Sequence, residues 1–312
     1  MGDGDTILLC ADAAYLPAAV FVANQAVALG GAQSVHVYTD AAPDPAVTRL
    51  ASDRVTFRIG DLGGQDWALD AKGYMSRAVY LRIVALEELG RTHRRILYLD
   101  CDLVLRPSLD LAALFALDLG GHPLAAVRSA MFWGMPKRSL RRYAMALDLP
   151  DWSKYLNSGV LLIDGAAWTG REIGARAARF NREHPELCRF NDQSAINHAL
   201  RGDWLELSPR WNWSLGRAGA RAAWEAVQPH VLHFNGPLKP WNDHARILGE
   251  GLTAPWRDWV IASGLERAED RFAPLPADLA QERAQALVQE AAALEGFTQD
   301  CAAYLTRKDF AA

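Results

Sequence analysis

Arg95-Ile96-Leu97-Tyr98-Leu99-Asp100-Cys101-Asp102 is the stretch whose reading decides the fold of this chain. Its apolar run, 96–99, is short and continuous, the pattern of a buried strand. It ends in two carboxylates two positions apart. Side chains in extended chain repeat every second residue, so Asp100 and Asp102 are expected to project the same way from the strand end. Two carboxylates beside a core strand repel one another and resist losing water, which calls for a positive group between them. Hard oxygen ligands suit Mn²⁺ or Mg²⁺, either of which can grip a diphosphate. Taken alone, the pair also fits a turn or a helix cap.

Upstream, strand and helix patterns alternate. Residues 6–11, 34–39, 54–59 and 95–99 read as strands, and 14–29, 45–51 and 76–89 as helices. That alternation predicts an α/β fold with a mostly parallel, Rossmann-like sheet flanked by helices. Ligands of such sheets gather at the carboxyl ends of strands, where Asp12, Asp40 and Asp100 all fall. Downstream of residue 120, residues 124–127, 160–163, 204–207 and 230–234 read as short strands. Residues 166–183, 192–200 and 242–263 read as helices, and 128–155 as an irregular segment with a basic cluster at 137–142. Pro274 and Pro276 break the chain before a last amphipathic helix, 277–305. The expected organisation is one main domain, 1–265, and a C-terminal helical extension, 266–312.

The 312 residues are 50% hydrophobic and 22% charged, ample for a large core. A net charge of -4 argues against a general nucleic-acid binder. Four cysteines without C-x-x-C spacing read as reduced thiols of a cytoplasmic protein. The apolar stretch 13–30 is preceded by Asp3, Asp5 and Asp12, with no Lys or Arg before Arg49, so it does not read as a secretory signal. No transmembrane helix is predicted.

A second informative segment is His233-Phe234-Asn235-Gly236-Pro237-Leu238-Lys239-Pro240-Trp241. A neutral imidazole can complete a mixed oxygen and nitrogen site for Mn²⁺. Glycine lets backbone N–H groups approach a phosphate closely, and lysine supplies a point charge. The plainer alternatives are a half-buried, hydrogen-bonded His233 and a turn at Gly236.

The ordered set of motifs in 7–241 resembles glycosyltransferase family 8, the retaining nucleotide-sugar transferases that include glycogenin, galactinol synthase and bacterial lipopolysaccharide glucosyl- and galactosyltransferases. The matching pieces are Ala11-Asp12-x-x-Tyr15, Ser76-x-x-x-Tyr80-x-Arg82, Tyr98-Leu99-Asp100-x-Asp102, Asn157-Ser158-Gly159 with the apolar run after it, Asp192-Gln193, and His233-x-x-Gly236-x-x-Lys239-Pro240-Trp241. The resemblance implies a GT-A fold, a UDP-sugar donor and a Mn²⁺ (or Mg²⁺) cofactor held by Asp100, Asp102 and His233. It implies that Asp12 and Tyr15 meet uracil, with Ala11 and Cys101 beside the donor. Gly236 and Lys239 would bind the diphosphate, and Arg82 would steady the donor. Asn157 would contact the donor sugar or the acceptor, Asp192 the sugar hydroxyls, and Gln193 would sit near the anomeric carbon, Asp192 and Gln193 forming the catalytic pair. Each has a plainer reading: Tyr15 as a core aromatic, Arg82 as a snorkelling side chain, Asn157 as a turn cap and Asp192 as a helix N-cap.

Many relatives carry Asn two residues after the base-binding Asp, whereas this chain has Ala13-Ala14 before Tyr15. The expected acceptor is carbohydrate, a saccharide or lipopolysaccharide-type glycolipid. Trp133, Tyr143, Trp152 and Tyr155 are candidates to stack on it, and Lys137, Arg138, Arg141 and Arg142 to meet a phosphorylated or lipid-linked form. A solvated helix face accounts for those cations equally well. Only weak peripheral membrane contact is expected, and the oligomeric state stays open. A nucleotidyltransferase also needs carboxylates and a cation, but the loop after the first strand lacks the Gly-rich, basic character of that class. A sugar-nucleotide-binding pseudoenzyme is the remaining alternative.

Overall fold

The computed structural model describes residues 4–32, 34–61, 77–134, 137–265 and 275–311. The first half runs β1 (Asp5–Ala11), α1 (Leu16–Leu29), β2 (Ser34–Thr39), α2 (Pro45–Thr48) and β3 (Val55–Ile59). After a 3₁₀ turn (Arg77–Tyr80) come α3 (Leu81–Leu89), β4 (Arg95–Leu99), β5 (Leu103–Leu105) and α4 (Leu111–Phe115). Then follow β6 (Leu124–Arg128), α5 (Arg138–Ala146), β7 (Leu156–Asp164), α6 (Gly165–Gly170), α7 (Ile173–Glu183) and α8 (Asn191–Leu200). The chain ends in β8 (Leu205–Glu206), β9 (Trp213–Ser214), α9 (Ala218–Val227), β10 (Val231–His233), α10 (Gly249–Ala262) and α11 (Ala277–Leu305).

Among the described residues, one sheet has the order β3-β2-β1-β4-β7-β6-β8 and a second the order β5-β10-β9. The ladders from β3 to β4 are parallel, and β7 runs antiparallel between β4 and β6, giving the expected mixed, mostly parallel sheet. Alternate residues of the central strands serve opposite cores. Ile7, Leu9, Leu97 and Leu99 face the α1 side, whereas Leu8, Ile96 and Tyr98 face the α3 side. Burial on both faces is why these strands read as unbroken apolar runs. The helix α1, apolar nearly all round, is buried by the same logic.

Several boundaries differ from expectation. The helix expected over 166–183 is two, because Glu172 adopts a left-handed φ of 52° between α6 and α7. The helix expected from residue 242 begins only at Gly249. Asn242 and Asp243 spend their side chains on nearby backbone, Asn242 accepting from the Lys239 N–H and Asp243 from those of Ile247 and Leu248. Short polar side chains compete with the helix in this way. The segment 128–155 is not irregular throughout, since its basic cluster lies largely on α5. Ser76, the start of one expected helix, lies outside the described residues.

The last helix, α11, packs along α9. Gly219 permits the approach: a Cβ there would lie 2.3 Å from the Phe297 Cβ. The Phe297 ring lies against Trp133 and Trp213 in the main core. Beyond it, buried Glu206 accepts hydrogen bonds from Arg128, Tyr304 and Arg307, so an otherwise costly buried charge is fully paired. Phe297→Ala is expected to lower stability by about 3–5 kcal/mol, since a 4%-exposed ring would leave a cavity; urea denaturation measures it.

Candidate active site

A cavity of about 390 Å³ opens at the carboxyl ends of β1 and β4, and Ala11, Asp12, Asp100, Cys101, Asp102 and His233 are in its wall. Tyr15, Arg82, Asn157, Asp192, Gln193 and Lys239 also line it. Gly236 is not among the lining residues, although its neighbour Asn235 is. Asp40, expected at the same rim, is exposed and does not line it either.

The two acidic residues are set by their strand and its neighbours. The Asp100 N–H donates to the Gly159 carbonyl on β7 (2.8 Å), and the Asp102 carbonyl accepts from the Phe234 N–H just after β10 (2.9 Å). Each carboxylate divides its oxygens. Asp100 Oδ1 accepts from the Tyr98 hydroxyl (2.7 Å) and Arg82 Nη2 (3.1 Å). Its Oδ2 faces His233 Nε2 at 3.6 Å. Asp102 Oδ2 is paired with the Lys239 ammonium, and its Oδ1 lies 3.2 Å from the same Nε2. Burial alone would raise the Asp102 carboxyl, but Lys239 and His233 outweigh it and hold the group well below the usual carboxylate range. One ligand atom from each of Asp100, Asp102 and His233 lies within 4.8 Å of the others. Two hard oxygens and one imidazole nitrogen fit a divalent cation such as Mn²⁺. Gly159 completes the cradle, because a Cβ there would fall 2.3 Å from His233 Cε1 and 2.8 Å from Asp100 Oδ2.

Arg82 is not a snorkelling side chain. It is 6% exposed and bridges Asp100 and Asp192, with its Nε 2.8 Å from Asp192 Oδ2 and its Nη1 donating to the Ser158 carbonyl (2.7 Å). Its guanidinium also lies over the Tyr98 ring, 4.3 Å from the centroid. Burial works against its charge, but Asp192, Tyr98 and Asp100 outweigh that and keep it protonated. Burial pushes the Asp192 carboxyl up to about 6, with Arg82 opposing. Burial also pushes the thiols of Cys10 and Cys101 up, so neither is an activated nucleophile.

Around this centre the remaining residues are held by hydrogen bonds. Asp12 Oδ1 accepts from the Tyr15 N–H (2.9 Å) at the start of α1, and the Tyr15 ring stands edge-on to Trp241, 5.6 Å between centroids. Asn157 Nδ2 donates to Gln193 Oε1 (3.2 Å), which also accepts from the Ser158 N–H (3.1 Å). Three of the aromatics expected to stack on a sugar are buried elsewhere: Trp133 in the core against α11, and Tyr143 and Tyr155 beneath Phe190. Trp152 packs against the same core cluster. Among the described lining residues, the aromatics are instead Tyr15, Tyr98 and Phe190.

Reasoning from the residues gave Tyr98 and Gly159 no role in the site and did not reach Asn212. The first was legible, since Tyr98 and Asp100 share one face of extended chain. Asn212 sits in a loop with no local signal, and the demand on Gly159 comes from a strand and a loop distant in sequence.

A mostly parallel sheet with an acidic, cation-ready pocket at its carboxyl ends is the arrangement of the GT-A fold. The family described as glycosyl transferase family 8 matches residues 6–245, and the chain belongs to that family. It is 32% identical over 191 residues to general stress protein A of Bacillus subtilis (strain 168), covering 55% of this chain and 62% of that protein. It is 27% identical over 200 residues to lipopolysaccharide 1,2-glucosyltransferase of Escherichia coli (strain K12), covering 59% and 56%. The chain therefore spans less than two thirds of the length of either curated relative. The solved structure of the galactosyltransferase LgtC with donor and acceptor sugar analogs shares the fold, with a TM-score of 0.62 at 21% identity over 88% of this chain and 98% of that one.

Two outcomes are expected. Gly159→Ala is expected to displace His233 and Asp100 and to weaken divalent-cation binding at this cradle by about 10–100-fold, read by calorimetric titration with Mn²⁺. The second concerns pH in the metal-free protein. The folded value for Asp192, about 6, lies above its ordinary value of 3.8, so its contribution to stability is fully present below about pH 4 and lost as pH rises through 6. Asp192→Asn removes that dependence. Relative to the wild type the variant gains on the order of 3 kcal/mol between pH 4 and 7, measured by urea denaturation in EDTA.

Proposed function

We propose that this chain is a divalent-cation-dependent, retaining hexosyltransferase that moves a sugar from a UDP-sugar to a hydroxyl of a saccharide or a lipopolysaccharide-type glycolipid. The observation that carries this reading is the convergence of Asp100, Asp102 and His233 on one wall of the main cavity in a family 8 chain. The glucosyltransferase named among the relatives, and the sugar analogs bound to LgtC, support it. Mn²⁺ is the proposed ion, with Mg²⁺ as the alternative, and the cytoplasm is the proposed compartment. No described helix is long and apolar enough to cross a membrane, and all four cysteines are free thiols. We assign the chemistry to 1–265 and a supporting role to 266–312.

Asp12 and Tyr15 are assigned to the uracil, Arg82 to the donor and Asn157 to the sugar. When bound, the cation supplies positive charge to the departing diphosphate. Lys239 adds a second cation beside Asp102, poised for the same charge. Gly236 is assigned to the diphosphate because packing does not require a glycine there. An added Cβ would meet only Gly216, at an ordinary 3.6 Å, so the backbone there is open to close approach by a ligand.

Retention ordinarily invites a carboxylate nucleophile. Asp192 is committed to Arg82, and Gln193 is an amide with both ends hydrogen-bonded, its Oε1 to Ser158 and Asn157 and its Nε2 to the Tyr155 hydroxyl. Neither is arranged to form a covalent adduct. The acceptor hydroxyl therefore attacks from the face the diphosphate leaves, and the departing phosphate oxygen takes its proton.

The test is turnover of UDP-glucose and UDP-galactose without acceptor. The expected result is slow, Mn²⁺-dependent release of UDP that EDTA abolishes and Asp102→Asn removes. Gln193→Ala should slow it by about 100-fold without ending it. Failure of every UDP-sugar to bind or turn over with metal present overturns the assignment. A glycosyl adduct trapped on Asp192 or Gln193 overturns the front-face mechanism.

A further inference from the structure

His233 Nδ1 lies 2.8 Å from Oδ1 of Asn212, and both side chains are almost fully buried. An amide oxygen only accepts, so Nδ1 must carry the proton. In the neutral ring Nε2, which faces Asp100 and Asp102, is then the nitrogen left to take a metal. Everything depends on which way the Asn212 amide points, because the reverse orientation would offer an N–H to Nδ1 and move the proton to Nε2.

That orientation is imposed from the backbone. The Gly159 N–H donates to Asn157 Oδ1 (3.0 Å), and a backbone N–H cannot reverse its role. The same Oδ1 accepts from Asn212 Nδ2 (2.8 Å), which leaves the Asn212 oxygen for His233. A second backbone group gives the same answer: the Ser158 N–H donates to Gln193 Oε1, so the Asn157 group facing Gln193 must be its NH₂. Three amides and one imidazole thus have a single self-consistent arrangement, set by the two consecutive N–H groups of Ser158 and Gly159 on β7.

We propose that Asn212 is a positioning residue that fixes the tautomer of His233 for cation binding, and that Asn157 transmits its orientation from the β7 backbone. The inference rests on the cation site proposed above. A consequence is that Gln193 and the cation site belong to one hydrogen-bonded network, although they lie on different elements.

The test is Mn²⁺ affinity without donor, read by the electron paramagnetic resonance signal of free Mn²⁺, for the wild type, Asn212→Ala and Asn212→Asp. The alanine variant loses the acceptor for Nδ1 and is expected to bind about 10–100-fold more weakly. The aspartate keeps an acceptor at Nδ1 but turns an oxygen, not an N–H, toward Asn157 Oδ1; because the Nδ1 acceptor is retained, it is expected to bind within a few-fold of the wild type. Far-UV circular dichroism checks that both are folded. If Asn212→Ala does not fold, the comparison becomes Asn212→Asp against the wild type, together with ¹⁵N-histidine NMR of the Zn²⁺-loaded wild type, in which His233 must show a protonated Nδ1. Equal affinity in the alanine variant, equal loss in both variants, or a bare Nδ1 overturns the inference alone. Absence of Mn²⁺ binding by the wild type overturns the proposed site with it.

Discussion

The structure depends on one electrostatic constraint: three carboxylates and an imidazole are drawn into a partly dry pocket at the carboxyl ends of β1 and β4. Asp100, Asp102 and Asp192 cannot all remain ionised there without compensation. Arg82 answers two of them and Lys239 the third. The protein's own cations take one oxygen of Asp100 and one of Asp102, leaving the other oxygens beside His233. The pocket is balanced well enough to fold and still leaves a place for a divalent ion.

Holding such groups still is the work of their neighbours. Asp100 is braced by Tyr98 and Arg82, His233 by Asn212, and Gln193 by Tyr155, Asn157 and the β7 backbone. Rotamers locked in this way lose little freedom on binding, the usual condition for a site that acts on charge developing elsewhere. The strand β7 is central to this. It pairs with β4, supplies the carbonyl that fixes Asp100, and shifts register against β6 over the stretch whose Ser158 and Gly159 N–H groups serve the site.

The C-terminal helix is part of this economy of support. Tyr304 stacks on Trp133 and Phe297 lies tilted against it, and Trp133 continues the segment from Ser129 to Met131 that forms part of the cavity wall. Trp133 is therefore consumed by packing, and Phe190, Met131 and Arg217 are among the residues that line the cavity. Sequence alone does not distinguish an aromatic facing a ligand from one facing a helix that begins only at Ala277.

Alternation of apolar strands and helices was enough to read the parallel half of the sheet, because burial on two faces writes itself as unbroken runs such as 6–11 and 96–99. The acidic pair, His233 and Lys239 were legible because their residue types are costly in a core unless they meet one another or a ligand. The break at Glu172, the late start of α10 and the helix over the basic cluster were not, since each turns on local hydrogen bonds or on packing partners far away. Composition and order along the chain determined which groups needed compensation. Only the tertiary structure decided which atoms supply it, because hydrogen-bond direction and close approach depend on backbone groups that carry no sequence signature.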